Sequence, residues 1–406
     1  MQYRLLLLVF TLITSSLFGQ RGTFQLPERK KRITTAFENY DNIVVVELKL
    51  SDSIPIRLIL DSGIEGIILT DRELVDALSP SCTRMFNLTA PGTDISLAAC
   101  ITSSIKVRFP GLLPIDANLV LLQEDYFSLD SFIGAKVHGL IGLEKFRNLV
   151  VTINYGKNVL QFSNSEKYKV PKRAEIVPIN VLRGRPYISA RVELDTKEIR
   201  DLWLMIDSGA NHPLLLETDS TETYKPIRSL KTTIGRGLGG SINGEFVRSG
   251  WLLIGNSRLD NIITSISSDY LSGNPSNRSF RDGTLGAGAL ARFNVSFDYL
   301  HDRLILEKGT KFNDPFEYNM SGITFECINS GFNIFKVNEI IYDSPAYHAG
   351  IHPDDLLMSI NGKAAFTLNL GELNAILSSG PRNFVTMVIS RDGQIMTFKF
   401  RLKRLI

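Results

Sequence analysis

The sequence predicts a mostly β protein built from two related halves, followed by a smaller α+β unit. Three observations carry this. Short runs rich in Val, Ile, Leu, Phe and Tyr alternate with Gly, Asn, Asp and Pro. The chain repeats itself within its first three hundred residues. The last ninety residues break the repeat and take their own order of strands, short helices and Asn-Gly or Asp-Gly turns. A length of 406 residues, 44% hydrophobic and 21% charged, suits two or three packed cores.

In chain order, Met1 to Gln20 comes first. Arg4 supplies a positive start, Leu5 to Ile13 an apolar run, and Ser15, Ser16 and Gly19 the small residues of a cleavage site. Residues 1–19 read as a signal peptide; an uncleaved anchor is the rival reading. The run is short for a spanning helix, and nothing later resembles one, so the mature chain is expected to be exported, periplasmic or extracellular. Export permits disulfides. Cys82 and Cys100, 18 residues apart, form a possible bridge or two buried thiols, and Cys327 reads as a core residue.

The repeat begins beyond this leader. Asp61-Ser62-Gly63 recurs 146 residues later as Asp207-Ser208-Gly209, and Val46-Glu47-Leu48 matches Val192-Glu193-Leu194 at the same offset. A second block, His138 to Gly142, matches Asp282 to Gly286 at an offset of 144 and holds register through Tyr155 and Tyr299. A lone D-S/T-G arises by chance in roughly one chain of this length in five. Two copies with matching blocks on both sides do not. Strands are predicted at 43–50, 56–60, 149–154, 186–194, 202–206 and 293–298, with helical turns at 71–78, 142–148 and 286–292.

Each DSG ends an apolar strand in a tight turn, where glycine leaves room and the hydroxyl can fix the carboxylate. Two such turns about a pseudo-two-fold axis bring Asp61 and Asp207 face to face. Neighbouring carboxylates cannot both ionise, so the pair shares one proton. One then acts as general base on a water while the other polarises a carbonyl.

On these residues, LILDSG (58–63), GLIG (139–142), LMIDSGA (204–210) and DGTLG (282–286), the segment 36–308 resembles the pepsin–retropepsin superfamily of aspartic peptidases. The resemblance implies two tandem retropepsin-like β lobes, 36–164 and 178–308, forming a bilobal protease. It implies catalytic Asp61 and Asp207, with Ser62, Gly63, Ser208 and Gly209 supporting the turns. It also implies a substrate flap, placed at Gly235 to Gly244 with Gly237, Gly239 and Gly240, and a first-half counterpart at 87–100. Several residues depart from the family pattern: Ile64 after the first turn, Glu65 beside it, His138 opposite Asp282, and Thr284 for an apolar residue.

After a polar stretch read as a linker, Lys308 to Tyr318, SPAYHAGI (344–351) and DDLLMSINGK (354–363) resemble a bacterial-type PDZ domain over 319–406. This implies an α+β, partly open barrel that takes a peptide C-terminus as an added strand. Its carboxylate loop is expected at Ser330, Gly331 and Phe332.

The charge balance, 45 Lys+Arg against 42 Asp+Glu, includes no long basic run, so nucleic acid is not an expected partner. Five His and three Cys lie scattered without metal-ligand spacing, so neither metal nor organic cofactor is expected, and His138, His212 and His301 read as surface or loop residues. The function expected is therefore an exported aspartic endopeptidase acting on polypeptides, its last domain recruiting or orienting substrate. The alternative is a non-catalytic peptide-binding or scaffold protein that keeps both folds.

Overall fold

The computed structural model describes residues 5–7, 22–78, 81–89, 96–124, 128–217, 224–237, 240–267, 281–329, 331 and 333–406. Of residues 1–21, only Leu5–Leu7 is described, as a short strand parallel to Leu230–Gly237. No described helix is long and apolar enough to cross a membrane.

The protein is mostly β, and each half of the repeat forms its own sheet. In the first, Ile43–Leu50 and Ile54–Asp61 form a hairpin, and Gly139–Gly142 inserts parallel to the second strand, pairing Gly139 with Leu58 and Gly142 with Asp61. In the second, Arg185–Glu193 and Ile199–Asp207 do the same, and Gly283–Gly286 pairs Gly283 with Leu204 and Gly286 with Asp207. The alternating apolar residues Leu58, Leu60, Leu204 and Ile206 face one buried core.

The hairpins correct one alignment. Val46 pairs Leu58, whereas the partner of Leu204 is Ile188, so the first strands correspond at an offset of 142. Val46-Glu47-Leu48 and Val192-Glu193-Leu194 match in letters but not in place. The reason is the turn: the pair Leu50 and Ile54 encloses residues 51–53, whereas the equivalent pair Val192 and Arg200 encloses residues 193–199, four more.

A third sheet joins the halves, in the order Glu175–Pro178, Arg303–Lys308, Phe293–Asp298, Leu149–Asn154, Val159–Asn164, Arg32–Ala36. At its centre Thr152 pairs Ser296, its own counterpart at offset 144, and their hydroxyls lie 2.7 Å apart. The pseudo-two-fold axis therefore passes through this pair.

The C-terminal sheet runs Ile323–Asn329, Ile334–Ile340, Leu356–Ile360, Phe384–Arg391, Gln394–Arg401 around its own core. Helix Pro345–Ala349 is capped by Ser344, whose hydroxyl accepts from Tyr347 N, and stopped by left-handed Gly350. Helix Leu370–Leu377 carries a capping box of Asn369 and Glu372. The stretch before this domain is not a free linker. Phe316 and Tyr318 are buried, Phe246 packs on Tyr318, and Arg292 covers Phe316, because these aromatics are interleaved with the polar residues.

Candidate active site

The two DSG turns meet across the axis. Ser62 N donates to Ser208 Oγ at 3.0 Å and Ser208 N donates to Ser62 Oγ at 2.9 Å. Ser62 Oγ donates to Ile206 O at 2.8 Å, and Ser208 Oγ to Leu60 O at 2.9 Å. Each hydroxyl thus ties its own turn to the opposite turn and to the strand that feeds the opposite Asp. Asp61 Oδ1 accepts from Gly63 N at 2.6 Å and Asp207 Oδ1 from Gly209 N at 2.9 Å.

The glycines permit the approach. A Cβ on Gly63 would lie 2.9 Å from Asp207 Cγ, and one on Gly209 would lie 2.5 Å from Asp61 Cγ. Both carboxylates are buried, and in each the Oδ2 atom has no hydrogen-bond partner. Burial raises Asp61 well above the ordinary carboxylate range, and the Asp207 charge raises it further. Burial also raises Asp207, against the pull of the Gly209 hydrogen bond. Two buried acids that cannot both ionise, each held by one oxygen, can carry a single shared proton.

Behind the turns, the repeat's departures have physical reasons. His138 Nδ1 accepts from Arg57 N at 3.0 Å, and Asp282 Oδ2 accepts from Trp203 N at 2.6 Å. His and Asp therefore serve one end of the inserted strand alike. His212 lies in the loop after the second turn but not at the surface: it is fully buried, its Nε2 lies 3.3 Å from Thr284 O, and burial lowers it to about 3, so it is neutral. Of the other two, His138 is half-buried and His301 exposed.

Sequence reasoning missed several buried polar residues around the dyad. Arg281 pairs with Glu217 at 2.7 Å, both nearly inaccessible, and Arg185 is buried beside them. Glu144 is buried, its Oε1 accepting from Gly66 N at 2.8 Å while Oε2 has no partner. Burial pushes its carboxyl to about 7. No motif marks these residues; their burial and their partners are seen only in the structure.

The other predicted sites are spread over both halves and the C-terminal domain. Leu230–Gly237 and Gly240–Arg248 form a hairpin closed by the pair Gly237 and Gly240, while Gly239 lies outside the described residues. Cys82–Thr89 and Ser96–Thr102 form the corresponding hairpin of the first half, and Cys82 is bonded to Cys100. Gly331 lies in the connection between Ile323–Asn329 and Ile334–Ile340; Ser330 and Phe332 lie outside the described residues. Ile334–Ile340 is paired on both sides, so the edge facing helix Leu370–Leu377 belongs to Ile323–Asn329. The turn that enters this strand is Asn319 to Gly322, where Asn319 Oδ1 accepts from Ser321 N at 2.8 Å. Gly134 of the first half sits there, 3.0 Å from Leu370 Cβ and 4.0 Å from Cys327 Cβ for an added Cβ. No group of His, Cys, Asp and Glu among the described residues could hold a metal ion.

No family model matches the chain, and no curated protein matches it. Among solved structures it is similar to an aspartic proteinase from Irpex lacteus, at 13% identity and a TM-score of 0.44, over 70% of this chain and 99% of the other. It is also similar to basic 7S globulin from soybean, at 11% identity and a TM-score of 0.37, over 70% of this chain and 96% of the other.

Proposed function

We propose that the chain is an exported aspartic endopeptidase in which Asp61 and Asp207 activate one water for attack on a peptide bond. The observation that carries this reading is the reciprocal lock of the two DSG turns, which leaves two buried, one-sidedly bonded carboxylates on the axis. Burying two acids together is costly, and such pairs recur where chemistry needs a shared proton. In the singly protonated pair, the ionised carboxylate takes a proton from water as the oxygen attacks the carbonyl carbon. The protonated one donates a hydrogen bond to the carbonyl oxygen. Collapse of the tetrahedral intermediate expels the amine, which takes from the first carboxyl the proton that the water gave it, so the pair is again singly protonated. The glycine-rich hairpin Leu230–Gly237 and Gly240–Arg248 would close over the substrate, and no cofactor enters the scheme.

The C-terminal domain is read as a PDZ-like module that orients polypeptide substrate. Its support is an edge strand, Ile323–Asn329, lying beside helix Leu370–Leu377. A peptide terminus would enter past Gly134.

The test is incubation of residues 20–406 with a mixed peptide library from pH 3 to 8, beside Asp61→Asn and Asp207→Asn. Cleavage lost in both variants is expected. Cleavage that survives either change removes that residue from the mechanism.

A further inference from the structure

The two halves differ at one buried position next to the dyad. Continuing each hairpin ladder by two residues sets Ile43 opposite Asp61 and Arg185 opposite Asp207. These are equivalent places at the offset of 142. Where the first half has an apolar side chain, the second buries a guanidinium, 8% exposed. Arg185 forms no ion pair among the described residues, and its Nε has no hydrogen-bond partner.

A buried, unpaired cation is costly unless its charge is used. Among the described residues, these charged and titratable groups act on Arg185. Asp61 and Asp207 come from the two turns, Glu65 from the chain just after the first, Tyr187 from its own strand, and Arg281 from the segment before Gly283. Glu144 touches the preceding turn, 3.2 Å from a Cβ built on Gly184. Glu65 is exposed, and Arg281 is already matched by Glu217. Glu144 has one oxygen taken by Gly66 N and is pushed by burial to about 7, so below that pH it is neutral and the dyad is the buried negative charge left for Arg185 to act on. The lowering influence of Arg185 on both Asp61 and Asp207 agrees with this placement.

We propose that Arg185 is a positioning residue that holds the dyad's single negative charge and sets the pH window in which the dyad is singly protonated. This rests on the peptidase reading. A cation favours the ionised form at each step, so it moves both limbs of the window toward acid. Its removal moves both limbs upward.

Arg185→Ile, which copies Ile43, and Arg185→Lys, which keeps the charge, are compared with wild type. In kcat/KM profiles, Arg185→Ile is expected to shift both limbs upward by about one pH unit, roughly a tenfold loss on the acid limb. Arg185→Lys should keep the wild-type limbs. The second readout, thermal stability against pH, needs no turnover: its inflection should move upward in Arg185→Ile, and not in the Asp61→Asn/Asp207→Asn background. Unmoved limbs in folded Arg185→Ile, or a stability shift that persists without the dyad, overturns the proposal. Should Arg185→Ile not fold, Arg185→Gln removes the charge with a polar side chain. If wild type cleaves nothing at any pH, the peptidase reading fails, and the stability series still decides the role of Arg185.

Discussion

The close approach of each glycine to the opposite Asp makes Gly209→Ala a quantitative test of the site. Neither Gly209 nor Gly63 has a positive φ, so alanine meets no backbone penalty there. The effect must come from the new methyl group. At Gly209 it would stand 2.5 Å from Asp61 Cγ, where ordinary contact begins near 3.4 Å, so the carboxyl must retreat by about 1 Å. At Gly63 the distance to Asp207 Cγ is 2.9 Å, and a retreat of about 0.5 Å suffices. Misplacement of a catalytic group by about 1 Å costs about a hundredfold in rate, so half of that displacement should cost about tenfold. Overpacking adds about 1–3 kcal/mol of destabilisation. The assay is kcat/KM on a cleaved library peptide, with circular dichroism and Tm to establish folding. Gly209→Ala should lose about a hundredfold and Gly63→Ala about tenfold. A folded Gly209→Ala at wild-type rate, or a larger loss in Gly63→Ala, would refute the reciprocal contact as the source of geometry.

Ser62→Ala and Ser208→Ala each strip one hydroxyl that accepts from a buried N–H and donates to a buried carbonyl, and each should cost about 1–3 kcal/mol by denaturant unfolding. Glu144 releases its proton near pH 4.5 when unfolded and near 7 when folded, so its burial favours folding less as pH rises between those values. Glu144→Gln should therefore match wild type below pH 4.5 and exceed it by about 3 kcal/mol above pH 7; equal stability at pH 8 would count against a buried acid there. Replacing Cys82 and Cys100 by Ser should cost about 3 kcal/mol for a closed loop of 18 residues, read as a Tm drop that reductant reproduces in wild type. Gly134→Asn keeps the left-handed backbone but fills the space against Leu370 past which a peptide terminus would enter, and should lower binding of labelled peptide C-termini about tenfold by anisotropy. Unchanged binding would argue against the strand–helix groove as a peptide site.

The sequence by itself determined the architecture's symmetry. A duplicated DSG and a duplicated Gly-x-x-Gly, each with apolar strands in register, suffice because strand pairing is local in pattern and the glycines mark where backbones approach. The first C-terminal helix and its hairpin were legible for the same reason: Ser344, Gly350 and Asn361-Gly362 encode caps and turns within a few residues. Only the tertiary structure decided what lies around the dyad. The lengthened connection at 193–199 moved the true correspondence of the first strands by four residues and concealed the equivalence of Arg185 and Ile43. The burial of His212, the reach of Glu144 to Gly66, the bonding of Cys82 to Cys100 and the seat of Gly134 against Leu370 join residues far apart in the chain. Periodicity reports which face of a strand is buried. It carries no information on which buried polar groups meet across two lobes, because those contacts depend on how finished sheets pack.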